Sequence, residues 1–506
     1  MANKVMPLSK LFHAAGIEVQ LPEGRDPLIK AVSDNSRLVE TGSLFVATRG
    51  SQTDSHLFIS DAVERGVAAV VVERDTPDYD GVVVVRVDDS RDALGRLAHA
   101  YYGNPTADML VFGVSGTNGK TTTTYLIESI LTAAGYKPGV IGTIEARYNG
   151  KHFPAANTTP TALQLAALLA DMKSAGVNAV AMEASSHAMD QRRISGIQFD
   201  CALLTNITQD HLDYHGTMEA YAEAKRLLYA DHLLRPKTGS HRRPVPTAIF
   251  NSDDETGQAF AEAFPGAKVT FGLEAGADVH ARDVTFKPSG VTFTVHTESG
   301  VFEVESRLLG MFNVQNILGA LAAALAMGLP REQVLAGIRA LENVRGRFEV
   351  VDAGQPFTVV VDYAHTPDAL ERIIMNAREM TTGRVITVFG CGGDRDNSKR
   401  PIMGCTAATL SDLAIVTSDN PRTEDPVKIA AMVMDGVRQA GVAEERSRMI
   451  LDRRSAIGDA ISTAQAGDIV VIAGKGHEDY QILGTEKIHF DDVEVAREFL
   501  AARGQR

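Results

Sequence analysis

The sequence predicts an α/β fold with three domains, each built around a mostly parallel sheet. Short β-branched runs alternate with longer helical patterns along most of the 506 residues, which is typical of strand–helix units. The chain also exceeds the roughly 250 to 300 residues at which a single hydrophobic core stops growing. Hydrophobic residues make up 44% and charged residues 23% of it, so we expect ordered structure throughout.

Three blocks of this pattern predict the domain boundaries. The first covers residues 1–106 and closes at the turn-rich GNPTAD, where Pro105 marks a hinge. The central block covers residues 107–342, and the third, expected to be Rossmann-like, covers residues 343–506. Strands are predicted at VAAVVVE and VVVVRV in the first block, at LVFGV, NAVAME, CALLTN and TAIFN in the second, and at FTVVVDY, RVITVFG, LAIVTSD and DIVVIAG in the third. Helices are predicted at TTTTYLIESILTAAG, TALQLAALLADM, 313–327 and REQVLAGIRALE.

Composition and charge exclude several classes of function. The formal net charge of −14 repels nucleic acid and anionic lipid, so any phosphate must be held locally by backbone N–H groups, a few cationic side chains or a metal ion. The three cysteines lie in unrelated segments without metal-ligand spacing, which indicates neither a disulfide framework nor a zinc site. No stretch approaches the roughly 18 apolar residues of a membrane helix, and the first residues lack a signal-peptide core. We therefore expect a cytoplasmic protein without membrane insertion.

The segment GVSGTNGKTTTTYLI has the composition of a phosphate-binding loop between a strand and a helix. Its glycines let the backbone approach phosphate, and the helix N-terminus offers unpaired N–H groups. Lys120 is expected to reach the β- and γ-phosphates and the Thr121 hydroxyl to ligate magnesium. Val114 stands where the strict Walker pattern has its first glycine, and the alternative is a Gly-rich turn with a solvated lysine. The candidate ATP-binding residues are Gly116, Thr117, Asn118, Gly119, Lys120, Thr121 and Thr122.

Two further side chains follow strands of the same predicted sheet. Glu183 comes directly after NAVAM, and His211 follows CALLTN. Because the carboxyl ends of parallel strands share one edge of a sheet, both could converge on one metal ion. Taken alone, Glu183 reads as an ordinary loop carboxylate and His211 as a hydrogen-bonded loop residue. Lys225 in EAYAEAKRLLY reads, on its own, as a helix lysine on a solvated face.

The segment GTNGKT resembles the ATP loop of the Mur ligases and of their folylpolyglutamate synthetase relatives. This resemblance implies that Glu183 and His211 bind magnesium beside the ATP phosphates, where the metal neutralises charge. It also implies that Lys225 is carbamylated, which turns an ammonium that would repel magnesium into an anionic oxygen ligand. The implied catalytic residues are Lys120, Glu183, His211 and Lys225, and the implied metal ligands are Thr121, Glu183, His211 and the Lys225 carbamate.

Polar segments of the first two blocks resemble those with which tripeptide-forming Mur ligases hold a UDP-muramoyl peptide. By composition alone these segments are polar turns, one of them with a helix-capping threonine. The family segment that matches SQT often begins with histidine, so Ser51 is a departure from the pattern. Hydroxyl groups and an arginine suit phosphate, sugar and carboxylate oxygens. The implied binding residues are Ser36, Ser51, Gln52, Thr53, Asn157, Thr158, Thr159, Ser185, Gln191 and Arg193.

The third block carries three polar segments that each follow a predicted strand, FGCGGDRDNSKRP, SDNPRTEDP and AGKGHE. DNPR resembles the amino-acid signature of Mur ligases that add meso-diaminopimelate, because lysine-adding relatives lack its arginine. A guanidinium can pair bidentately with the second carboxylate of diaminopimelate, whereas it would repel the lysine ammonium. The alternative is a set of ordinary turns. The implied diaminopimelate-binding residues are Arg395, Asp419, Asn420, Pro421, Arg422, Gly474 and Glu478.

Several other positions resemble family residues near the nucleotide, although each could equally be structural. They lie in GRFE, VDYAHTP, NVQN and the segment before Pro401. The candidates are Arg347, Asp362 and His365 near the nucleotide, Asn313 and Asn316 near the adenine, and Lys399 near phosphate.

The resemblance covers nearly the whole chain and implies an ATP- and magnesium-dependent ligase. Its implied reaction adds meso-diaminopimelate to the D-glutamate carboxylate of UDP-N-acetylmuramoyl-L-alanyl-D-glutamate through an acyl phosphate. We expect a monomer that binds these small molecules and no nucleic acid. One alternative is a folylpolyglutamate-type ligase, which should lack DNPR and a UDP-binding first block. The other is a binding protein that uses ATP as a switch and needs no amine site.

Overall fold

A computed structural model describes residues 5–50, 53–155, 157–236, 244–287 and 290–504. The predicted substrate residues Ser51 and Gln52 lie outside these ranges. Contacts divide the chain into two compact units. The first comprises Met1–Arg282, Thr294–Val304 and Gln315–Ala340, and the second comprises Asp283–Phe293, Glu305–Val314 and Leu341–Arg506.

The N-terminal part of the first unit contains a small parallel sheet. The strands of this sheet are β3 (Ala31–Ser33), β4 (Ser43–Val46), β5 (Ala69–Val72) and β6 (Val83–Arg86), and β1 (Met6–Pro7) and β2 (Leu28–Ile29) form a separate antiparallel pair. The helices of this part are α1 (Leu8–Ala14), α2 (Ile59–Glu64) and α3 (Ser90–Tyr101). The strand order is β3-β4-β5-β6. Leu44 and Val46 enter one hydrophobic cluster and Phe45 enters another. The sheet is therefore buried on both faces, which explains why its strands are continuous apolar runs.

The central part of the chain forms a larger sheet. Its strands are β7 (Leu110–Ser115), β8 (Pro138–Ile141), β9 (Glu145–Tyr148), β10 (Lys151–Pro154), β11 (Ala179–Glu183), β12 (Cys201–Leu204), β13 (Thr247–Asn251), β14 (Ala267–Gly272), β15 (Val279–Lys287), β16 (Gly290–Thr297) and β17 (Gly300–Ser306). Its helices are α4 (Lys120–Ala133), α5 (Ala162–Ser174), α6 (Ser186–Asp190), α7 (Leu212–His215), α8 (Met218–Leu227), α9 (Glu255–Ala263), α10 (Met311–Ala326) and α11 (Arg331–Ala340). The strand order is β10-β9-β8-β11-β7-β12-β13-β14-β15-β16-β17, and the strands from β8 to β15 in this order run parallel. The carboxyl ends of β11, β7 and β12 therefore lie side by side.

Helix α3 joins the small sheet to the central part within the first unit. Ser195 Oγ and Arg235 Nη2 each donate to Asp92 Oδ1 at 2.7 Å. An ideal Cβ on Gly95 would lie 2.6 Å from Ser195 O, so this helix packs too closely for any larger side chain there. Pro105, the predicted hinge, is buried and begins a short 3₁₀ turn.

The second unit is built on a third sheet. The strands of this sheet are β18 (Glu349–Val350), β19 (Thr358–Asp362), β20 (Val385–Phe389), β21 (Leu413–Val416), β22 (Ser447–Met449) and β23 (Ile469–Ala473). Strands β24 (Tyr480–Leu483) and β25 (Glu486–His489) form a separate antiparallel pair. The helices of this unit are α12 (Pro367–Glu379), α13 (Lys399–Leu410), α14 (Pro426–Gln439), α15 (Arg453–Thr463) and α16 (Asp492–Gly504). In the order β18-β19-β23-β20-β21-β22, the strands from β19 to β22 run parallel, and β18 pairs antiparallel with β19. Hydrophobic clusters cover both faces, which is the doubly wound arrangement.

The predicted α/β fold class is confirmed, because the strands expected in each block are present and pair mainly in parallel. The boundaries at residues 106 and 342 remain a prediction, since the contacts resolve only two units. The hairpin strands β9 and β10 were not predicted, because Lys151–Pro154 is exposed and lacks an apolar pattern. Within the described ranges, no helix is long and apolar enough to cross a membrane.

Candidate active site

The glycine-rich loop lies at the carboxyl edge of the central sheet. Strand β7 leads into it, with Val114 paired to Glu183 of β11 and Ser115 paired to Leu204 of β12. Gly116 and Thr205 are the next residues along their strands. The register therefore brings the loop, the Glu183 carboxylate and the segment after β12 to one place, as parallel sheets do at a ligand crevice.

Two glycines of this loop are needed for their backbone conformation and for space. Gly116 has φ of +142° and Gly119 has φ of +85°, values that side chains with a Cβ rarely adopt. A Cβ on Gly116 would lie 1.8 Å from Thr205 Oγ1, and one on Gly119 would lie 2.3 Å from Asn316 Oδ1. Helix α4 begins directly afterwards at Lys120, so its first N–H groups face the loop, as an anion site requires.

The side-chain nitrogen atoms of two lysines meet at the carbonyl oxygen of Gly116. Lys120 Nζ donates to Gly116 O at 2.9 Å and to Thr117 O at 2.7 Å, and Lys225 Nζ donates to Gly116 O at 2.8 Å. Lys225 is only 1% exposed. Burial, reinforced by the charge of Lys120, lowers the pKa of the Lys225 amine well below its usual value. Lys225 is thus a buried, cation-facing amine and not the solvated helix lysine that its local sequence suggests.

The segment after β12 clamps the loop, which the sequence did not reveal. Thr205 Oγ1 donates to Asn118 O at 2.5 Å, and the backbone N–H of Asn118 donates to Asn206 Oδ1 at 3.0 Å. On the other side, Thr117 Oγ1 and Tyr221 Oη lie 3.0 Å apart. These bonds hold the loop in one conformation before any phosphate arrives.

Glu183 is fully buried and held by a residue that the sequence did not single out. Thr143 donates to both carboxylate oxygens, from its backbone N–H to Oε1 and from its hydroxyl to Oε2, each at 2.9 Å. Thr143 Oγ1 also lies 3.1 Å from Thr158 Oγ1. The carboxylate is therefore fixed in direction, and it shares a hydrogen-bond network with a predicted substrate residue.

His211 belongs to a cluster of rings beside the loop. It has φ of +53°, and its ring lies 4.8 Å from that of His187, which in turn lies 4.2 Å from Tyr214 and 5.5 Å from His215. Burial lowers the pKa of His187, His211 and His215. These imidazoles are therefore biased toward the neutral form, which can accept a hydrogen bond or bind a metal. The sequence pointed to His211 alone, because nothing local marks the other two.

The predicted peptide-binding residues of the central part form a connected group. Arg193 donates to Gln191 Oε1 at 2.6 Å and to Thr159 O at 3.0 Å. Thr159 Oγ1 donates to the backbone carbonyl of Glu183 at 2.8 Å and lies 3.3 Å from Ser185 Oγ. The group is thereby joined to the backbone of Glu183, whose side chain borders the phosphate loop. Asn157 is exposed at its edge.

The predicted metal ligands only partly form a cation site. In the described part of the chain, no three His, Cys, Asp or Glu side chains converge on one point. Thr121 and Glu183 offer hard oxygen atoms of the kind that Mg²⁺ prefers, and both are buried. Lys225 presents a nitrogen that, as an ammonium, would repel a cation. The residues therefore fit magnesium only if the Lys225 amine is converted into an anionic group.

Four further predicted residues have contacts of their own, and one of the four belongs to the second unit. Ser36 is buried in the 3₁₀ turn Ser36–Leu38, and Thr53 is exposed. Asn316 packs against Gly119 in the first unit, whereas Asn313 belongs to the second and donates to Leu309 O at 2.8 Å. Their assignment to a nucleotide or a UDP group stays a prediction.

In the second unit, the predicted nucleotide-side residues gather at the end of β19. Asp362 accepts from the backbone N–H groups of Phe348 at 2.7 Å and Ala364 at 2.8 Å. The Arg347 guanidinium lies 5.1 Å from the centre of the Tyr363 ring. Lys399 Nζ donates to the backbone carbonyl of His365 at 2.9 Å. Burial raises the pKa of Asp362, although the nearby Arg347 opposes this shift.

Two predicted arginines border Gly392 on adjacent loops after β20 and β21. A Cβ on Gly392 would lie 2.9 Å from Arg422 Nη1 and 3.9 Å from Arg395 Cγ. Arg422 has φ of +51° and donates to Gly393 O at 2.8 Å. Its backbone is fixed as well, because its N–H donates to Ile482 O at 3.1 Å. The guanidinium is thus held at the loop surface, where it is only half-buried.

An ion pair between a buried arginine and a partly exposed glutamate ties these two loops together. The Arg400 side chain is 1% exposed and donates to both Glu424 oxygens, at 2.9 and 2.8 Å. Glu424 Oε1 also accepts from the backbone N–H of Asp394 at 2.6 Å. Nothing in the local sequence marks Arg400 or Glu424, because a pair 24 residues apart leaves no local pattern.

The remaining predicted residues of this site lie in the loops that follow β21 and β23. Asn420 Nδ2 donates to Glu478 Oε2 at 2.9 Å. A Cβ on Gly474, where φ is +117°, would lie 2.7 Å from Asp419 Oδ2. Pro421 is buried, and its carbonyl oxygen lies 1.9 Å from where a Cβ on Gly393 would be. The structure thus brings together the residues predicted from DNPR, GGDR and GKGHE.

Fold and site together define a nucleotide-dependent α/β enzyme that binds small charged molecules. Three family models match in chain order: the "Mur ligase family, catalytic domain" at residues 28–102, the "Mur ligase middle domain" at 114–324 and the "Mur ligase, glutamate ligase domain" at 346–476. The chain belongs to the Mur ligase family, as these models and the relatives below establish. The predicted family resemblance is therefore confirmed, and the enzyme is a ligase.

Similar proteins cover the chain almost completely. The UDP-N-acetylmuramoyl-L-alanyl-D-glutamate–2,6-diaminopimelate ligase of Geobacillus kaustophilus is 47% identical over 98% of this chain and 99% of its own. The ligase of the same name from Geobacter metallireducens is 45% identical over 94% of this chain and 96% of its own. A solved structure of a ligase of that name is 35% identical, with a TM-score of 0.73 over 99% of this chain and 100% of its own. The MurF ligase of Thermotoga maritima in complex with ADP shares the fold, with 21% identity and a TM-score of 0.58 over 94% of this chain and 98% of its own.

Proposed function

We propose that this ligase adds meso-diaminopimelate to the D-glutamate side-chain carboxylate of UDP-N-acetylmuramoyl-L-alanyl-D-glutamate, using ATP, in cytoplasmic peptidoglycan synthesis. The names of the Geobacillus and Geobacter relatives support the substrates. The observation in this chain that carries the proposal is Arg422, a half-buried guanidinium fixed beside Arg395 at Gly392. Such a group matches the second carboxylate of diaminopimelate and disfavours lysine. We also propose that the enzyme is a monomer.

The mechanism has two bond-forming steps. The substrate carboxylate oxygen attacks the γ-phosphorus of ATP and releases ADP, which leaves an acyl phosphate. The diaminopimelate nitrogen then attacks the acyl carbon, and the tetrahedral intermediate expels phosphate as the amine loses its proton. Lys120 and the N–H groups at the start of α4 stabilise the negative charge that accumulates on the transferred phosphoryl oxygens.

On the amine side, Glu478 and Asn420 bind the amino-acid end of diaminopimelate, and Arg395 and Arg422 bind carboxylate. Both arginines project from loops that Arg400 and Glu424 hold in place. Thr158, Thr159, Ser185, Gln191 and Arg193 bind the peptide that carries the reacting carboxylate. Hydrogen bonds and an ion pair already hold these loops in place without substrate. The entropy cost of ordering them on binding is therefore small.

Magnesium would be held by Thr121, Glu183, His211 and a carbamylated Lys225, and when bound it would supply positive charge beside the ATP phosphates. Carbamylation requires a neutral amine that can attack carbon dioxide. Because burial and Lys120 lower the pKa of Lys225, its neutral fraction near pH 7 exceeds that of an ordinary lysine. The Lys225 environment therefore favours the modification that the metal site needs.

We expect carbamylation of Lys225 to be detectable and to govern activity. Enzyme equilibrated with ¹³C-bicarbonate should show a carbamate carbon signal in the NMR spectrum that is absent from Lys225→Met. Activity should fall when carbon dioxide is removed and return when bicarbonate is added, whereas Lys225→Met should be inactive under both conditions. Electron density that ends at Nζ in an active, bicarbonate-equilibrated crystal would contradict this.

The experiment that tests the proposed function is amino-acid-dependent phosphate release. Purified enzyme, ATP, magnesium and UDP-N-acetylmuramoyl-L-alanyl-D-glutamate are combined with either meso-diaminopimelate or L-lysine, and the product mass is measured. Strong preference for diaminopimelate is the expected result. Preference for lysine would leave the ligase but overturn the role of Arg422, and turnover of a folate acceptor instead would support a folylpolyglutamate-type enzyme.

A further inference from the structure

Lys475 is a buried cation that the reaction described above does not use. It lies between two glycines with positive φ, Gly474 at +117° and Gly476 at +53°. A Cβ on Gly476 would lie 2.7 Å from Tyr363 Cβ, so the turn after β23 packs closely against Tyr363. The Lys475 side chain is 0% exposed, although an unpaired ammonium is among the costliest groups to bury.

Three groups surround the Lys475 ammonium. Nζ lies 3.3 Å from Asn420 Oδ1 and 3.3 Å from Glu478 Oε2. It also lies 5.3 Å from the centre of the Tyr480 ring, within the range of a cation–π contact. The positive charge is therefore balanced by the carboxylate that is proposed to bind the amino acid.

The same contacts determine which way the Asn420 amide points. Its Oδ1 accepts from Lys475 and from the backbone N–H of Ile482 at 2.9 Å, and its Nδ2 donates to Glu478 Oε2 at 2.9 Å. The reversed amide would place an NH₂ group against an ammonium and an N–H. Lys475 thus favours the one orientation in which Asn420 supports the carboxylate.

Exposure differs along this network. Glu478 is 17% exposed at its side chain, whereas Lys475 is 0% exposed. Glu478 Oε2 is occupied by Asn420 and Lys475 from the buried side. An ammonium group arriving from solvent would therefore meet the exposed part of a carboxylate that is already fixed from behind.

We propose that Lys475 is a positioning residue that holds Glu478 and Asn420 in the geometry that recognises the ammonium group of the amino-acid substrate. This inference rests on the proposed function for its substrate, although the network itself does not. Lys475 touches no reacting atom, so it should affect amino-acid binding and leave the nucleotide step alone.

The test is a double-mutant cycle with Lys475→Met and Glu478→Gln, read as KM and kcat for diaminopimelate. Methionine keeps the length of the side chain and removes the charge. We expect Lys475→Met to raise the amino-acid KM by about 10- to 100-fold with little change in kcat or in the KM for ATP. The double variant should be no worse than Glu478→Gln alone, and Lys475→Arg should recover part of the affinity.

Lys487→Met is the matched control. Lys487 is exposed, and its Nζ lies 3.6 Å from the centre of the same Tyr480 ring, so its loss should leave the amino-acid KM unchanged. Additive effects of Lys475→Met and Glu478→Gln, an unchanged KM in Lys475→Met, or an equal rise in the KM for ATP would each overturn the inference.

The wild type separates this inference from the proposed function. If the wild-type enzyme prefers an amino acid other than diaminopimelate, the proposed substrate is wrong. The same double-mutant cycle is then run with the preferred amino acid. A crystal structure of Lys475→Met without substrate gives a second measurement that needs no turnover. In this variant the Asn420 amide should lose its hydrogen bond to the Ile482 N–H or to Glu478. If Asn420 and Glu478 keep their wild-type positions, the inference is overturned.

Discussion

Lys120→Ala should lower kcat by about 1,000-fold or more, because the cation nearest the transferred phosphoryl group is lost. Lys120 Nζ lies between Gly116 O and Thr117 O, so it is already positioned at the loop. Without it, charge on the γ-phosphate oxygens is not neutralised as the acyl phosphate forms. The measurement is single-turnover release of ADP, with nucleotide binding followed separately by calorimetry.

Lys173→Ala is the control for this prediction. Lys173 pairs with Asp108 at 2.8 Å on α5, and its side chain is 38% exposed, so its removal should leave kcat unchanged. If Lys120→Ala released ADP at the wild-type rate, Lys120 would have no part in phosphoryl transfer. If it lost only nucleotide affinity, its role would be in binding.

Arg422→Ala should raise the KM for diaminopimelate by about 100-fold and change kcat at saturation far less, because a charged partner is removed from a substrate carboxylate. Arg422→Lys should recover only part of the affinity, since an ammonium cannot pair bidentately with a carboxylate. The preference for diaminopimelate over L-lysine should fall in both variants. Steady-state kinetics with each amino acid measure these changes.

Arg438→Ala provides the comparison for Arg422. Arg438 pairs with Asp435 on α14 and its side chain is 65% exposed, so its loss should leave both amino-acid KM values unchanged. A wild-type KM for diaminopimelate in Arg422→Ala would show that the second carboxylate is bound elsewhere, with Arg395 as the next candidate.

Local patterns were sufficient for the phosphate loop and for ten of the 25 strands in the described part of the chain. Gly116, Gly119 and Lys120 lie within five residues of one another between a strand and a helix, so composition alone indicates their chemistry. The apolar runs TAIFN and RVITVFG match strands of the two larger sheets, because burial on both faces leaves continuous hydrophobic segments. The strand Lys151–Pro154 was not predicted, because an exposed strand needs no continuous hydrophobic segment.

Other residues required the family resemblance. Lys225 looks like a surface lysine in its helix, and Arg422 looks like a turn residue. The structure distinguishes both residues from ordinary surface residues. Lys225 is buried against Gly116 O, and Arg422 has a left-handed backbone conformation. Their functional roles remain predictions until the variants are measured.

The sequence by itself determined the α/β fold class, the phosphate loop and the charged segments after the strands, because these depend on residues close together in the chain. Only the tertiary structure decided which distant groups meet. Thr143 with Glu183, Lys225 with Gly116, and Lys475 with Asn420 are separated by 40, 109 and 55 positions. Hydrogen bonds of this kind depend on strand register and helix packing, which bring together residues that no local pattern connects.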